Sequence, residues 1–365
     1  MTTPIKEYLK SMVETGASDL HLKVGSPPIL RVNHELVPLG NEIINPERSR
    51  ELAYELMNPI QSKRFEEQLE LDFAYTVPGM GRFRTNIFIQ RGSIGIVMRF
   101  VKTSIPHFHQ LNLPEILGNF SSQERGIVMI TGATNSGKST TLAAMVDYIN
   151  RHSKKHIISV EDPIEYLHQD RLSIINQREV RIDTLSFHDA LKHILRQDPD
   201  VIVIGEMRDA DSFTAALQAA ETGHLVLTTL HASSASNSVD RILDFFRDAE
   251  SRDQARLQMA NNIVAVVCQR LLPIKEGMGL IPAVEIMTGS PVVKKIIHEN
   301  NLKKLAQAIS SGQDANMSSF NQSILKLIQS GLISEEVGLA HATNPEALRM
   351  NLQGIFLDDG KKILS

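Results

Sequence analysis

The chain has 365 residues, 42% hydrophobic and 22% charged, with 38 basic residues against 42 acidic ones and a net charge of −4. That balance excludes a disordered or fibrous chain, gives no overall basic character for nucleic-acid binding, and leaves room for two or three domains. The single cysteine, Cys268, excludes an internal disulfide framework and a four-cysteine zinc site and suits a reducing cytoplasm. No run approaches the ~20 apolar residues of a membrane span, and Met1 to Leu9 lacks the apolar core of a signal peptide.

Ile5, Leu9, Met12 and Val13 share one face of a predicted helix ending near Gly16. Ala17 to Val24 alternates apolar with polar residues, as a half-buried strand does, and Pro27-Pro28 breaks it. Ile29 to Leu39 reads as a hairpin turning at Asn33-His34, residues 46–69 as charged helix, and Phe73 to Val77 as a strand. Two more strands, Phe83 to Ile89 and Ile94 to Phe100, carry Arg84 and Arg99 on the faces opposite their apolar residues. Residues 1–101 are therefore expected to form a small α+β domain on an antiparallel sheet, and 102–113, with little periodicity, a linker.

The chemistry centres on Gly126 to Asn150. Ile127 to Ile130 is a continuous apolar run, as in a strand buried on both faces. It leads into Gly132-Ala133-Thr134-Asn135-Ser136-Gly137-Lys138-Ser139-Thr140, which fits G-x-x-x-x-G-K-[ST], and then into a helix with Leu142, Met145, Val146 and Ile149 at helical spacing. Polyphosphate oxygens need several donors on a concave surface, which backbone N–H groups supply where side chains do not intervene. The helix N-terminus adds its dipole. Lys138 is expected on the β- and γ-phosphates of a nucleotide and Ser139 on Mg²⁺. Asn135 stands at a loop position where glycine is expected, and asparagine is the residue that otherwise best tolerates a left-handed backbone.

Strands and helices then alternate: His156 to Val160, Val201 to Ile204 and His224 to Thr229 as strands, Phe187 to Gln197 and Asp211 to Glu221 as helices. This pattern implies a mostly parallel sheet covered on both faces, the α/β class, spanning 114–272. The run Ile263 to Val267 beside Cys268 reads as helix-like, with Cys268 a small core residue. From Ser233 onward the pattern is mainly helical apart from a hairpin around Lys275 to Ile286. Helix signals lie at Phe320 to Gln329, Ser334 to Ala342 and Asn344 to Leu352 in a helical region 273–365, and 355–365 are expected to be poorly ordered.

Ligands of such sheets bind at the carboxyl ends of the strands. Glu161 follows the His156 strand and is the first candidate to orient water, with Glu165 second. Glu206 follows four apolar residues, the Walker B pattern that holds the Mg²⁺ water shell beside Ser139. His231, after the next strand, is placed to sense the γ-phosphate, and His224 flanks the same strand. His21, His152 and His168 read as structural.

Together these motifs closely resemble the secretion ATPases of type IV pili and type II secretion, and within them the pilus-retraction (twitching-motility) ATPases of the PilT type. Ala17 to Leu22, the acidic stretch Ser159 to Tyr166, Ile175 to Val180, Ile204 to Asp209, and Thr222-Gly223-His224 through Leu230-His231 match the family boxes in order and spacing. The resemblance implies a PAS-like N-terminal domain joined by a mobile linker to a RecA-like ATPase domain, a homohexamer, and ATP between the domains with arginines reaching its phosphates, which supplies a use for Arg84 and Arg99. It further implies an inner-membrane pilus platform protein as partner, a second retraction ATPase as a possible further partner, no nucleic acid, and a cytoplasmic location at the inner-membrane face. A start directly at the small domain and the lack of a four-cysteine insertion point to retraction. Pro291 to Glu299 matches the retraction motif only loosely, which leaves an accessory, PilU-like retraction motor open. A nucleotide-binding regulator, a pilus-assembly or type II secretion ATPase, and a P-loop kinase of a small molecule stay open beside it.

Overall fold

The structure, a computed structural model, describes residues 4–33, 35–277, 279–312 and 315–355. His34 of the expected hairpin turn and all but Ile355 of the expected disordered tail lie outside the described residues. The chain divides into two compact units: residues up to Ser104 together with Glu165–Leu167, and Ile105–Ile164 together with the chain from His168 onward.

The first unit comprises α1 (Pro4–Glu14), β1 (Asp19–Lys23), β2 (Ile29–Val32), β3 (Glu35–Pro38), α2 (Pro46–Leu56), α3 (Pro59–Gln68), β4 (Glu70–Val77), β5 (Gly81–Gln90) and β6 (Ser93–Phe100). Among the described residues its six strands form one antiparallel sheet in the order β3-β2-β1-β6-β5-β4. Asn45 and Asn58 cap α2 and α3, accepting from Arg48 and Gln61 N–H, with proline at the first helical position of each. Ile5, Leu9 and Met12 of α1 pack with Leu20, Leu52, Phe83, Ile87, Ile96 and Met98 in one core. The strand alternation that buries Phe83 and Met98 leaves Arg84 and Arg99 exposed.

The second unit begins with α4 (Ile116–Ser121), β7 (Gly126–Gly132), α5 (Lys138–His152), β8 (His156–Glu161), β9 (Ile174–Glu179), α6 (Phe187–Ile194), β10 (Val201–Ile204), α7 (Ala210–Glu221) and β11 (Leu225–Leu230). It continues with α8 (Ala235–Leu243), α9 (Ala249–Asn262), β12 (Ile263–Pro273), β13 (Leu280–Thr288), α10 (Pro291–His298), α11 (Leu305–Ser311), α12 (Phe320–Gln329), α13 (Glu335–His341) and α14 (Pro345–Leu352). The sheet order is β13-β12-β7-β11-β10-β8-β9, parallel except for β13, with separate apolar clusters on its two faces. This is the RecA-like α/β arrangement, with the P-loop strand β7 buried along its whole length.

Two expectations are corrected. Ile263 to Cys268 is not helical: it opens β12, which pairs in parallel with β7 and antiparallel with β13. A continuous apolar run suits a buried strand as well as a buried helix, and β-branched Ile263, Val264, Val266 and Val267 favour the strand. The sheet therefore extends past residue 272, through β13. Cys268 is a core residue as expected, its thiol pushed up to about 11 by burial. Ile174 to Glu179 is the edge strand β9, for which Asn176 and Arg178 gave a weak apolar signal.

Candidate active site

The parallel strands β7, β8, β10 and β11 end on one side of the sheet, and four sequence-predicted groups follow those ends. Gly132 closes β7 with φ +146°, where a Cβ would collide with Ser136 Oγ and come 2.7 Å from the Gln269 carbonyl. Only glycine lets the loop leave the strand there. Ala133, Thr134 and Asn135 are exposed, Asn135 takes the left-handed backbone at φ +61°, and Gly137 caps α5 at φ +89°. Ser139 and Thr140 lie half-buried in the first turn of α5. Ser136 Oγ is buried and has no hydrogen-bond partner among the described residues. That orphaned hydroxyl and the positive-φ loop at a helix N-terminus fit an anion held by backbone N–H groups.

Lys138 is buried and turned back on the loop, donating to the Gly132 and Ala133 carbonyls at 3.0 and 2.8 Å. Its ammonium also lies 3.5 Å from His231 Nδ1. His231 Nε2 in turn lies 3.0 Å from Glu206 Oε1. Two bonds bring the Glu206 turn to the end of β11: Thr229 Oγ1 donates to the Gly205 carbonyl at 2.6 Å, and Met207 N–H donates to the Thr229 carbonyl at 2.9 Å.

Glu161 is the last residue of β8, level with Gly205, and a Cβ on Gly205 would sit 3.2 Å from Glu161 Cα. The missing Cβ lets the two acidic strand ends run side by side. Ser159 Oγ and Gln177 Nε2 both donate to Glu161 Oε1, at 2.7 and 3.1 Å.

Arg208, to which the sequence pattern assigns no role, joins this cluster. Its Nε and Nη2 reach Glu206 Oε2 at 2.8 and 2.6 Å, and its Nη1 lies 3.4 Å from Asp162. The hydrogen bond to Glu206 raises the Arg208 pKa further, so its charge is permanent. Ser159 and Gln177 were passed over as well. Ser159 had a signal, since it lies two residues before Glu161 on the same face of a strand. Gln177 had none, because the pairing of β9 with β8 is non-local.

The structure does not bring His224 to this cluster. It precedes β11 at the amino end of the strand, where its Nδ1 lies 2.9 Å from the Ala219 carbonyl and 3.1 Å from Thr222 Oγ1. Both histidines flank one strand, but a six-residue strand separates its ends by about 20 Å, so only His231 stands at the carboxyl end. Glu165 is exposed and belongs to the segment that clusters with the first unit.

Within the first unit, Arg84 and Arg99 are direct register partners on β5 and β6, and Asp19 is the partner of Arg99 on β1. Arg99 Nε donates to Asp19 Oδ1 at 2.7 Å, and Ser18 Oγ to Oδ2 at 2.7 Å. Burial pushes the Asp19 carboxyl up, but the Ser18 hydrogen bond and the Arg99 guanidinium outweigh it and hold the carboxyl below its usual range. The carboxylate therefore anchors Arg99 by Nε.

The model of the Type II/IV secretion system protein family matches residues 1–278. The chain belongs to that family. It is 41% identical over 342 residues, 94% of this chain and 99% of the relative, to the type IV pilus retraction ATPase PilT of Pseudomonas aeruginosa. It is likewise 41% identical over 348 residues, 95% of this chain and 91% of the relative, to the type IV pilus ATPase PilU of the same organism. A crystal structure of the pilus retraction motor PilT with bound ADP superposes with a TM-score of 0.87 at 39% identity, covering 94% of this chain and 98% of that one. The ATPase DotB of Legionella pneumophila follows at 0.76 and 27% identity, covering 93% of this chain and 97% of that one. Within the family the chain is thus PilT-like in sequence and fold. No helix among the described residues is long and apolar enough to cross a membrane.

Proposed function

We propose that this chain is a hexameric P-loop ATPase that drives retraction of a type IV pilus. The observation that carries the reading is 41% identity to a pilus retraction ATPase over 94% of the chain. The geometry of the strand ends supports the hydrolytic half of it.

In this reading the loop from Gly132 to Thr140 binds ATP through its backbone N–H groups. Lys138 leaves the loop carbonyls for the phosphates. Ser139 and Glu206 are hard oxygen donors of the kind Mg²⁺ prefers beside a polyphosphate, and they would hold the ion, which neutralises developing charge when bound. Glu161 orients the attacking water and takes its proton. His231 reports occupancy of the γ-phosphate position through its contacts with Lys138 and Glu206. Arg84 and Arg99 supply positive charge to the phosphates, which a loose, charge-spread transition state requires. The motor works in the cytoplasm at the inner-membrane face and pulls on a membrane platform protein.

Equal identity to PilU favours one second reading, an accessory retraction motor that assists a main one. A strain lacking the gene separates the two. Loss of pilus retraction, restored by the wild-type gene and not by Glu161→Gln, is expected for the main motor. Retraction that persists, but stalls under load, identifies the accessory motor. Unchanged retraction under every load contradicts both.

A further inference from the structure

The chain passes from one unit to the other after Ser104 and again at either end of Glu165–Leu167. That excursion is fastened within the first unit. Tyr166 forms a parallel bridge with Lys102, Leu167 N–H donates to the Lys102 carbonyl at 2.9 Å, and the Lys102 ammonium lies 5.9 Å from the centre of the Tyr166 ring. The next residue, His168, belongs to the second unit, and its backbone N–H donates to Gln177 Oε1 at 2.9 Å. A backbone N–H can only donate, so this bond fixes which way the Gln177 amide faces. The amide NH₂ is thereby turned to Glu161 Oε1. Gln177 is the register partner of Ser159, so both donors reach the carboxylate from the same level of the sheet.

We propose that Gln177 is a positioning residue for the Glu161 carboxylate, and that it makes the aim of Glu161 depend on the Glu165–Leu167 excursion. The proposal rests on the reading in which Glu161 orients the attacking water. Ser159 sits on the same strand as Glu161 and moves with it. Gln177 is different, because its amide is locked by the first residue after a segment that packs with the other unit. A shift of that segment displaces the His168 N–H, releases the amide, and loosens the hold of the Gln177 donor on the carboxylate. A water-orienting base loses rate when its geometry relaxes, even where substrate binding is intact. Hydrolysis is then sensitive to the first unit through the main chain itself.

The test compares kcat and KM for ATP among wild type, Gln177→Glu, Gln177→Ala, Tyr166→Ala, the Gln177→Ala/Tyr166→Ala double variant and Glu161→Gln, with light scattering and binding of a fluorescent ATP analogue as checks on assembly and folding. Gln177→Glu keeps an acceptor for the His168 N–H but sets a second carboxylate against Glu161. Both Gln177 variants are expected to lose about tenfold or more in kcat with KM within about threefold of wild type. Tyr166→Ala is expected to lower kcat, and to have no further effect once Gln177 is alanine. Wild-type kcat in Gln177→Glu beside an inactive Glu161→Gln overturns the proposal and leaves the role of Glu161 standing. An undiminished Tyr166→Ala effect in the Gln177→Ala background overturns the dependence on the excursion. Wild-type turnover by Glu161→Gln overturns the underlying reading and the proposal with it.

Discussion

His231 Nε2 lies 3.0 Å from Glu206 Oε1, while the other oxygen of the same carboxylate is held by Arg208 at 2.6 and 2.8 Å. Glu206 is thus engaged on both sides by groups that compete with any cation for it. Arg208 is about half exposed, so the pair is worth no more than about 1 kcal/mol. Replacing Arg208 by Ala is therefore expected to make the site more negative and to lower the Mg²⁺ concentration for half-maximal ATPase activity by about two- to fivefold. Glu206→Gln is expected to raise it. Titration of turnover against free Mg²⁺ at saturating ATP checks both.

Arg99 is anchored by Nε to a buried carboxylate, and its side chain remains 65% exposed. Arg84, directly opposite it, is a like charge on a neighbouring strand, an arrangement that an incoming anion relieves. Alanine at either arginine is expected to lower kcat by about tenfold or more with a smaller effect on ATP affinity. Asp19→Asn is expected to weaken turnover less than Arg99→Ala, because the guanidinium stays but loses its anchor. If both arginine variants turn over as wild type, the arginines have no part in hydrolysis.

His168 is half-buried, but its Nδ1 is buried and has no hydrogen-bond partner among the described residues. Burial lowers its pKa from the ordinary 6.5 to about 4, so the ring is neutral in the folded protein. Below pH 6.5 the unfolded chain takes up a proton that the folded chain does not. Stability is therefore lost as pH falls from 6.5 toward 4, by up to about 3 kcal/mol from this group. Urea unfolding at pH 7.5 and pH 5 should show a smaller acid loss in His168→Gln than in wild type. Equal losses would mean that His168 titrates normally.

Much of this architecture was legible in the residue pattern because its signals are local. The P-loop sits between an apolar strand and a helix at short range, and the alternation around Arg84 and Arg99 shows their exposed faces directly. Asn135 takes the left-handed backbone that its residue type allows. The misses are of another kind. Strand β12 was hidden because a buried strand has no period to distinguish it from a buried helix. His224 was misplaced because proximity to a strand does not say which end of the sheet a residue reaches. Gln177 and the Glu165–Leu167 excursion depend on pairings between distant segments, which no short window of sequence contains.

The most direct test of the motor reading is steady-state ATPase rate against protein concentration, with light scattering on the same samples. Turnover per subunit that rises as a hexamer forms, and is abolished by Glu161→Gln while ATP binding persists, is the expected result. Full turnover by a monomer, or a hexamer without turnover, would contradict it.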